Sequence, residues 1–357
     1  MLKAREAVRN LNLYSPPLEG RTGLLLDFNE NTAGCSPRVL ARMRQLQPQQ
    51  LARYPERGRG EELVAGFLGL RASEVLLTNG VDEGIHLLCE TYLEAEDEAL
   101  IVVPTFSMYE IYARATGARV ITVQAGDDFR FPLRALLARL SPRTRLIAIA
   151  NPNSPTGAVV EGEVLLRIVQ AAPQAAVLVD EAYFEFYGET LLGQLATLPN
   201  LFVARTFSKA YGMAGLRIGV LAGDEERMGE VRRVASPYNV NGVALACLPE
   251  ALGDQEYIQD YVAQVLRSRA RLEHELRILE LQYWPSHANF VLVRLGERRA
   301  AFVQGMRERG ILVRDRNSDP GCAGCVRITI GTEAQTDHLV EALRSSLEQC
   351  AAGKVAT

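Results

Sequence analysis

Short apolar runs alternate with amphipathic stretches through the middle of the chain. "EVLLT" (74–78), "ALIVVP" (99–104), "ARVITV" (118–123), "RLIAIANP" (145–152), "AAVLVDEAY" (175–183), "LFVARTF" (201–207) and "LRIGVLAG" (216–223) read as buried strands. Between most of them lie segments of helical period, such as "VDEGIHLLCETYLE" (81–94) and "SMYEIYARATG" (107–117). Continuous apolar strands joined by helical crossovers predict a mainly parallel sheet of seven strands covered on both faces. In such a fold ligands sit beyond the carboxyl ends of the strands, so chemical residues are expected just after these runs.

The texture changes after residue 240. A long charged helical stretch (254–282) leads to "ANFVLVRL", a helix over 298–310, "ILVRD", "VRITIG" and a final helix, an α+β pattern. The division expected is an N-terminal arm over 1–35, a large domain over 36–240 and a smaller α+β domain over 241–357. The Pro-rich, irregular arm reads as a segment lying over another domain or a second subunit.

Composition narrows the class. The chain has 357 residues, 48% hydrophobic and 23% charged, with net charge −4, ordinary for a globular enzyme and no argument for nucleic acid or an acidic membrane surface. No apolar run reaches membrane-span length and the start lacks the apolar core of a secretory signal. Six scattered cysteines read as free thiols of a reducing cytoplasm. Cys322 and Cys325 form a C-x-x-C, but with neither a second pair nor histidines at ligand spacing. They run from a loop into a strand, unlike a redox motif, and read as two thiols in a glycine-rich loop.

The strand ends carry the chemistry. "TNGVDEGI" (78–85) ends a strand and opens a helix, whose free N–H groups either bind a phosphate or are capped without a ligand. "NPNSPTG" (151–157) makes a rigid turn with amide and hydroxyl side chains after another strand. Asp180 closes an apolar strand, where a carboxylate needs a partner, and Tyr183 follows. The next strand leads to Ser208 and Lys209, with Arg217 beyond. A lysine in such a segment is paired or chemically used. Pyridoxal phosphate uses this whole set: an amine for its aldehyde, a carboxylate for its pyridinium nitrogen, and hydroxyls and an arginine for its phosphate.

In order, "YPERGRGEEL", "NGVDE", "NPNSPTG", "VDEAYFEF" and "RTFSKAYGMAGLRIG" resemble the signatures of fold-type-I, pyridoxal-phosphate-dependent aminotransferases, and among them the histidinol-phosphate aminotransferases. The resemblance runs from "LDFNENT" (26–32) to "VRITIGT" (326–332). It implies that Lys209 holds the cofactor covalently, Asp180 pairs with the pyridinium nitrogen and Tyr183 hydrogen-bonds the phenolic oxygen. Phe106 matches the stacking aromatic, and Val81, Asp82, Thr206, Ser208 and Arg217 match the phosphate cup. Tyr54 matches a tyrosine reaching the neighbouring subunit's cofactor, so a homodimer is implied. Ser154 stands where the family often has asparagine, leaving Ser154 or Asn153 for the phenolic oxygen.

For the substrate, the resemblance points Arg314 and Arg327 into the site, with Tyr14 approaching from the arm. Each arginine taken alone also reads as an exposed edge residue. Paired guanidinium forks suit a phosphate. The implied reaction exchanges an amino group between L-glutamate and imidazole acetol phosphate, giving L-histidinol phosphate in histidine biosynthesis. An aromatic amino-acid aminotransferase and an O-phosphothreonine decarboxylase are the rivals on the same fold. A nicotinamide enzyme would need a G-x-G-x-x-G after a strand, and "RGRGEEL" is not one. A transcription regulator would need a DNA-binding extension longer than the arm.

Overall fold

A computed structural model describes residues 2–351; Met1 and residues 352–357, the end of the expected 241–357 segment, lie outside the described residues. Among the described residues the strands are β1 (Leu24–Leu26), β2 (Val75–Thr78), β3 (Glu98–Val103), β4 (Arg119–Gln124), β5 (Thr144–Ala150), β6 (Ala176–Asp180), β7 (Leu201–Thr206), β8 (Gly219–Gly223), β9 (Gln282–Trp284), β10 (Phe290–Arg294), β11 (Ile311–Asp315) and β12 (Cys325–Thr329). They form two sheets.

The seven apolar runs become β2 to β8, in the order β2-β8-β7-β6-β5-β3-β4. Only β8 runs against its neighbours, β2 and β7. β6, β7 and β8 are buried at every position, as strands covered on both faces must be. One face packs under the helices Val81–Tyr92, Met108–Thr116 and Glu225–Val234, through Ile85, Leu88, Tyr109 and Met228. The other lies under the helix Gly162–Ala171, through Leu165, Ile168 and Val169. From β3 the chain steps outward to β4, then returns through β5 and proceeds the other way. That reversal opens a crevice at the carboxyl ends of β3 and β5.

The second sheet has the order β1-β11-β12-β10-β9. β1 departs from the irregular arm expected there: it pairs in parallel with β11, Leu24 opposite Ile311. Three residues are too few to show a period, so neither β1 nor β9 stands out in the sequence. The long charged stretch forms the helix Gln255–Ile278, which buries Tyr261, Val265, Leu272 and Leu276. Among the described residues no helix is long and apolar enough to cross a membrane.

Candidate active site

A cleft of about 960 Å³, open to solvent, lies at the carboxyl ends of β3, β5, β6 and β7. Its walls bring together Tyr14, Val81, Asp82, Phe106, Ser154, Asp180, Tyr183, Thr206, Ser208, Lys209, Arg217, Arg314 and Arg327, all residues singled out in the sequence.

The segment after β7 delivers the lysine. Lys209 Nζ donates to the Phe28 carbonyl at 3.0 Å and has no carboxylate partner among the described residues. Its loop is held open by Gly212, at φ +67°, where a Cβ would come within 2.4 Å of the Gly34 carbonyl oxygen. Only glycine fits that turn.

Asp180, at the end of β6, is 5% exposed. Tyr109 donates its hydroxyl to one carboxylate oxygen at 2.6 Å, and the Ala182 N–H donates to the other at 3.0 Å. Burial raises the Asp180 pKa to about 6, against the lowering effect of those two bonds. No cationic side chain touches it among the described residues. Between the unfolded value of 3.8 and about 6 the folded chain therefore holds more protons than the unfolded one. This group's contribution to stability then falls as pH rises through that window. In the ligand-free protein, Asp180→Asn is expected to gain thermal stability relative to wild type between pH 4 and about 6.5, with a constant difference above. Melting curves across that range check this; a difference independent of pH would contradict it.

A second cluster lies where β2, β7 and β8 meet. Gly80 precedes the helix Val81–Tyr92 with no side-chain cap on its first N–H groups. A Cβ at Gly80 would sit 2.4 Å from an Arg217 guanidinium nitrogen, and one at Gly219 would sit 2.7 Å from the Val81 nitrogen. The glycines thus let Arg217 and the helix start close into one cradle with Thr206 and Ser208. Arg217 pairs with Asp82 at 2.8 Å.

The small sheet supplies the third cluster. In the β11–β12 ladder Arg314 is directly opposite Arg327, so both side chains leave the same face. Arg327 is 7% exposed and donates to Ser154 Oγ and to the Asp27 carbonyl, both at 2.8 Å. Its Nε is buried without a partner among the described residues, and burial lowers its pKa to about 10. The Arg314 guanidinium lies 5.0 Å from the centre of the Phe28 ring. Like charges facing each other across a ladder are unfavourable, and neither arginine has a carboxylate partner among the described residues. The pair is built for an anion from outside.

One expectation needs correction. Asn153 does not face the cleft: its amide accepts from Thr105 Oγ1 at 2.7 Å and donates to the Pro104 carbonyl and to Thr156 Oγ1, both at 2.9 Å. The turn needs that side chain to satisfy its own backbone. Tyr54, expected at a second subunit's site, lies outside its own chain's cleft, 80% exposed and stacked on Tyr238 with ring centres 4.4 Å apart.

Three residues escaped the sequence reading. Asn29, at φ +57°, donates its amide to the Tyr183 hydroxyl at 2.8 Å and accepts from Thr329 Oγ1 at 3.1 Å, linking the cleft to β12. Tyr109 supports Asp180, and its three-residue spacing from Phe106 was a usable sign. Arg316 also lines the cleft; its spacing of two from Arg314 was the signal. Cys322 and Cys325 are free thiols packed with Phe129, Trp284 and Leu292.

Comparison with known proteins agrees with this geometry. The family model for aminotransferase class I and II matches residues 21–343. The histidinol-phosphate aminotransferase of Thermoanaerobacter sp. (strain X514) is 32% identical over 344 residues, covering 95% of this chain and 96% of that protein. Histidinol-phosphate aminotransferase 2 of Pseudomonas fluorescens (strain Pf0-1) is 37% identical over 330 residues, covering 90% and 88%. Among solved structures, histidinol-phosphate aminotransferase from Sinorhizobium meliloti in complex with pyridoxal-5'-phosphate superposes with a TM-score of 0.87 at 25% identity, covering 98% of each chain.

Proposed function

Because the chain belongs to the class I and II aminotransferases, we propose that it transfers an amino group between L-glutamate and imidazole acetol phosphate, forming L-histidinol phosphate and 2-oxoglutarate. The observation that carries the substrate is the cross-strand pair Arg314 and Arg327, two guanidinium groups in the cleft with no carboxylate bonded to either among the described residues. A phosphate monoester carries about −1.5 to −2 charge at pH 7 and takes bidentate bonds from such forks.

The residues present fit pyridoxal 5'-phosphate. Asp180 is a buried carboxylate with no cationic partner among the described residues, which a protonated ring nitrogen would supply. The Gly80–Gly219 cradle leaves the uncapped helix start and Arg217 to a phosphate. Among the described residues Lys209 Nζ hydrogen-bonds only the Phe28 carbonyl, which leaves it free to form a covalent bond. When bound, the cofactor supplies a carbonyl for the amino group and a conjugated cationic ring that accepts the electron pair left on the substrate α-carbon.

The protein's own groups do the rest. Lys209 Nζ would take the proton from the substrate α-carbon and give it up again as the amino group is transferred. Asp180 holds a proton on the ring nitrogen, and Tyr109 holds Asp180. Asn29 orients the Tyr183 hydroxyl towards the phenolic oxygen, and Phe106 covers the ring. Val81, Asp82, Thr206, Ser208 and Arg217 line the phosphate end. Arg314 and Arg327, with Ser154 and Tyr14, take the substrate anion. One site serves both amino donors in turn, so ping-pong kinetics follow. The working form is a homodimer in the cytoplasm, in which Tyr54 reaches the second subunit's site. The exposure of Tyr54, Leu51 and Tyr238 on the single chain supports this.

Purified protein given L-histidinol phosphate and 2-oxoglutarate should form glutamate. Arg327→Ala should lower kcat/KM for histidinol phosphate by about 10²–10³-fold, as removal of a buried charged partner does, and less for L-phenylalanine. Equal losses on both donors would remove the phosphate role.

A further inference from the structure

Arg314 and Arg327 are not alone on that wall. Arg316 lines the same cleft, continuing the face of Arg314 one step beyond β11. Its N–H donates to the Cys325 carbonyl at 3.0 Å, extending the ladder to β12. Its side chain is 12% exposed, is ion-paired to Asp319, and carries a buried Nε without a partner among the described residues. The intervening loop is tied down. The Asp319 N–H donates to the Arg316 carbonyl, and the Cys322 N–H to the Asp319 carbonyl, both at 3.0 Å. The Gly324 N–H donates to the Asn317 side chain at 2.9 Å. Arg316 is thus presented to the cleft by a fixed turn.

Charge gives this placement a purpose. Asp319 feels all three guanidinium groups: burial raises its pKa, while Arg316, Arg327 and Arg314 each lower it. Three positive groups against this one carboxylate leave an excess of two. A phosphate monoester of about −2 balances that excess, whereas a carboxylate of −1 leaves one charge uncompensated. Resting on the reading above, we propose that Arg316 sets the preference for a doubly charged phosphate over a carboxylate, with Asp319 as the counter-ion that moderates it.

The test is substrate selectivity, the ratio of kcat/KM for L-histidinol phosphate to that for L-phenylalanine. Arg316→Gln should lower the ratio about tenfold or more, mainly through KM, as loss of a hydrogen bond to a charged group does. Arg316→Lys should restore part of it, keeping the charge but losing the fork. Asp319→Asn breaks the same ion pair but leaves the guanidinium, so it should act in the opposite direction and tighten competitive inhibition by inorganic phosphate several-fold. If both Arg316→Gln and Asp319→Asn reduce every substrate alike and leave the ratio unchanged, the pair only supports the loop and the inference is overturned. If wild type prefers histidinol phosphate and Arg316→Gln keeps that preference, the inference fails while the proposed function stands. Wild type with no preference for histidinol phosphate removes both.

Discussion

Lys209→Ala should abolish turnover, lowering kcat by about 10⁴-fold or more, because one amine is both the covalent anchor and the proton carrier. The chain has three lysines, Lys3, Lys209 and Lys354, among 39 basic residues, and of the described ones Lys209 alone lines the cleft. Among the described residues no neighbouring amine can substitute. The fold should survive, since the substitution leaves the Gly212 N–H bond to the residue 209 carbonyl and removes one side-chain bond, to Phe28. The check is steady-state turnover beside a melting curve, with borohydride reduction of the holoprotein followed by peptide mapping. Cofactor mass should appear on the Lys209 peptide in wild type and on none in the variant. Turnover within tenfold of wild type would contradict the assignment.

Asp180→Ala should cost about 10²–10⁴-fold in kcat, the range for a buried electrostatic group acting on charge that develops in the transition state. Asp180 is the carboxylate that β6 carries to the cleft floor, and its support, Tyr109, is neutral in the protein because burial and Asp180 push its pKa well above the usual value. Without the carboxylate nothing holds the ring proton, and the electron sink weakens. Asp180→Asn should be nearly as inactive, because it keeps the shape and the Tyr109 bond but not the charge. A loss below tenfold for both variants would show that the ring nitrogen needs no anion.

Much of this was legible because burial writes a strong pattern. A strand covered on both faces is apolar at most positions, and the runs of β2, β6, β7 and β8 stand out for that reason, whereas the edge strand β4 is half exposed and shows through its β-branched residues. Parallel topology then puts Phe106, Asp180, Tyr183, Thr206, Ser208 and Lys209 on one rim, so the site follows from the fold rule. What stayed hidden depends on distance along the chain or on a local hydrogen-bond choice. Asn29 meets Tyr183 and Thr329 across 154 and 300 residues, which no local pattern encodes. β1 is a strand only because β11 lies beside it. Asn153 turns away because Thr105, Pro104 and Thr156 satisfy its amide. The opposition of Arg314 and Arg327 is a matter of register, and two strands joined by a loop do not announce theirs.

The most direct test of the central claim is a single half-reaction. Protein carrying pyridoxal 5'-phosphate is mixed with L-histidinol phosphate, and the visible absorbance of the bound cofactor is followed as it converts to the pyridoxamine form. L-phenylalanine and O-phospho-L-threonine are run alongside, with carbon dioxide monitored. Rapid conversion by histidinol phosphate, slower conversion by phenylalanine and no carbon dioxide from phosphothreonine is the expected result. Conversion by phenylalanine with none by histidinol phosphate, or release of carbon dioxide from phosphothreonine, would contradict it.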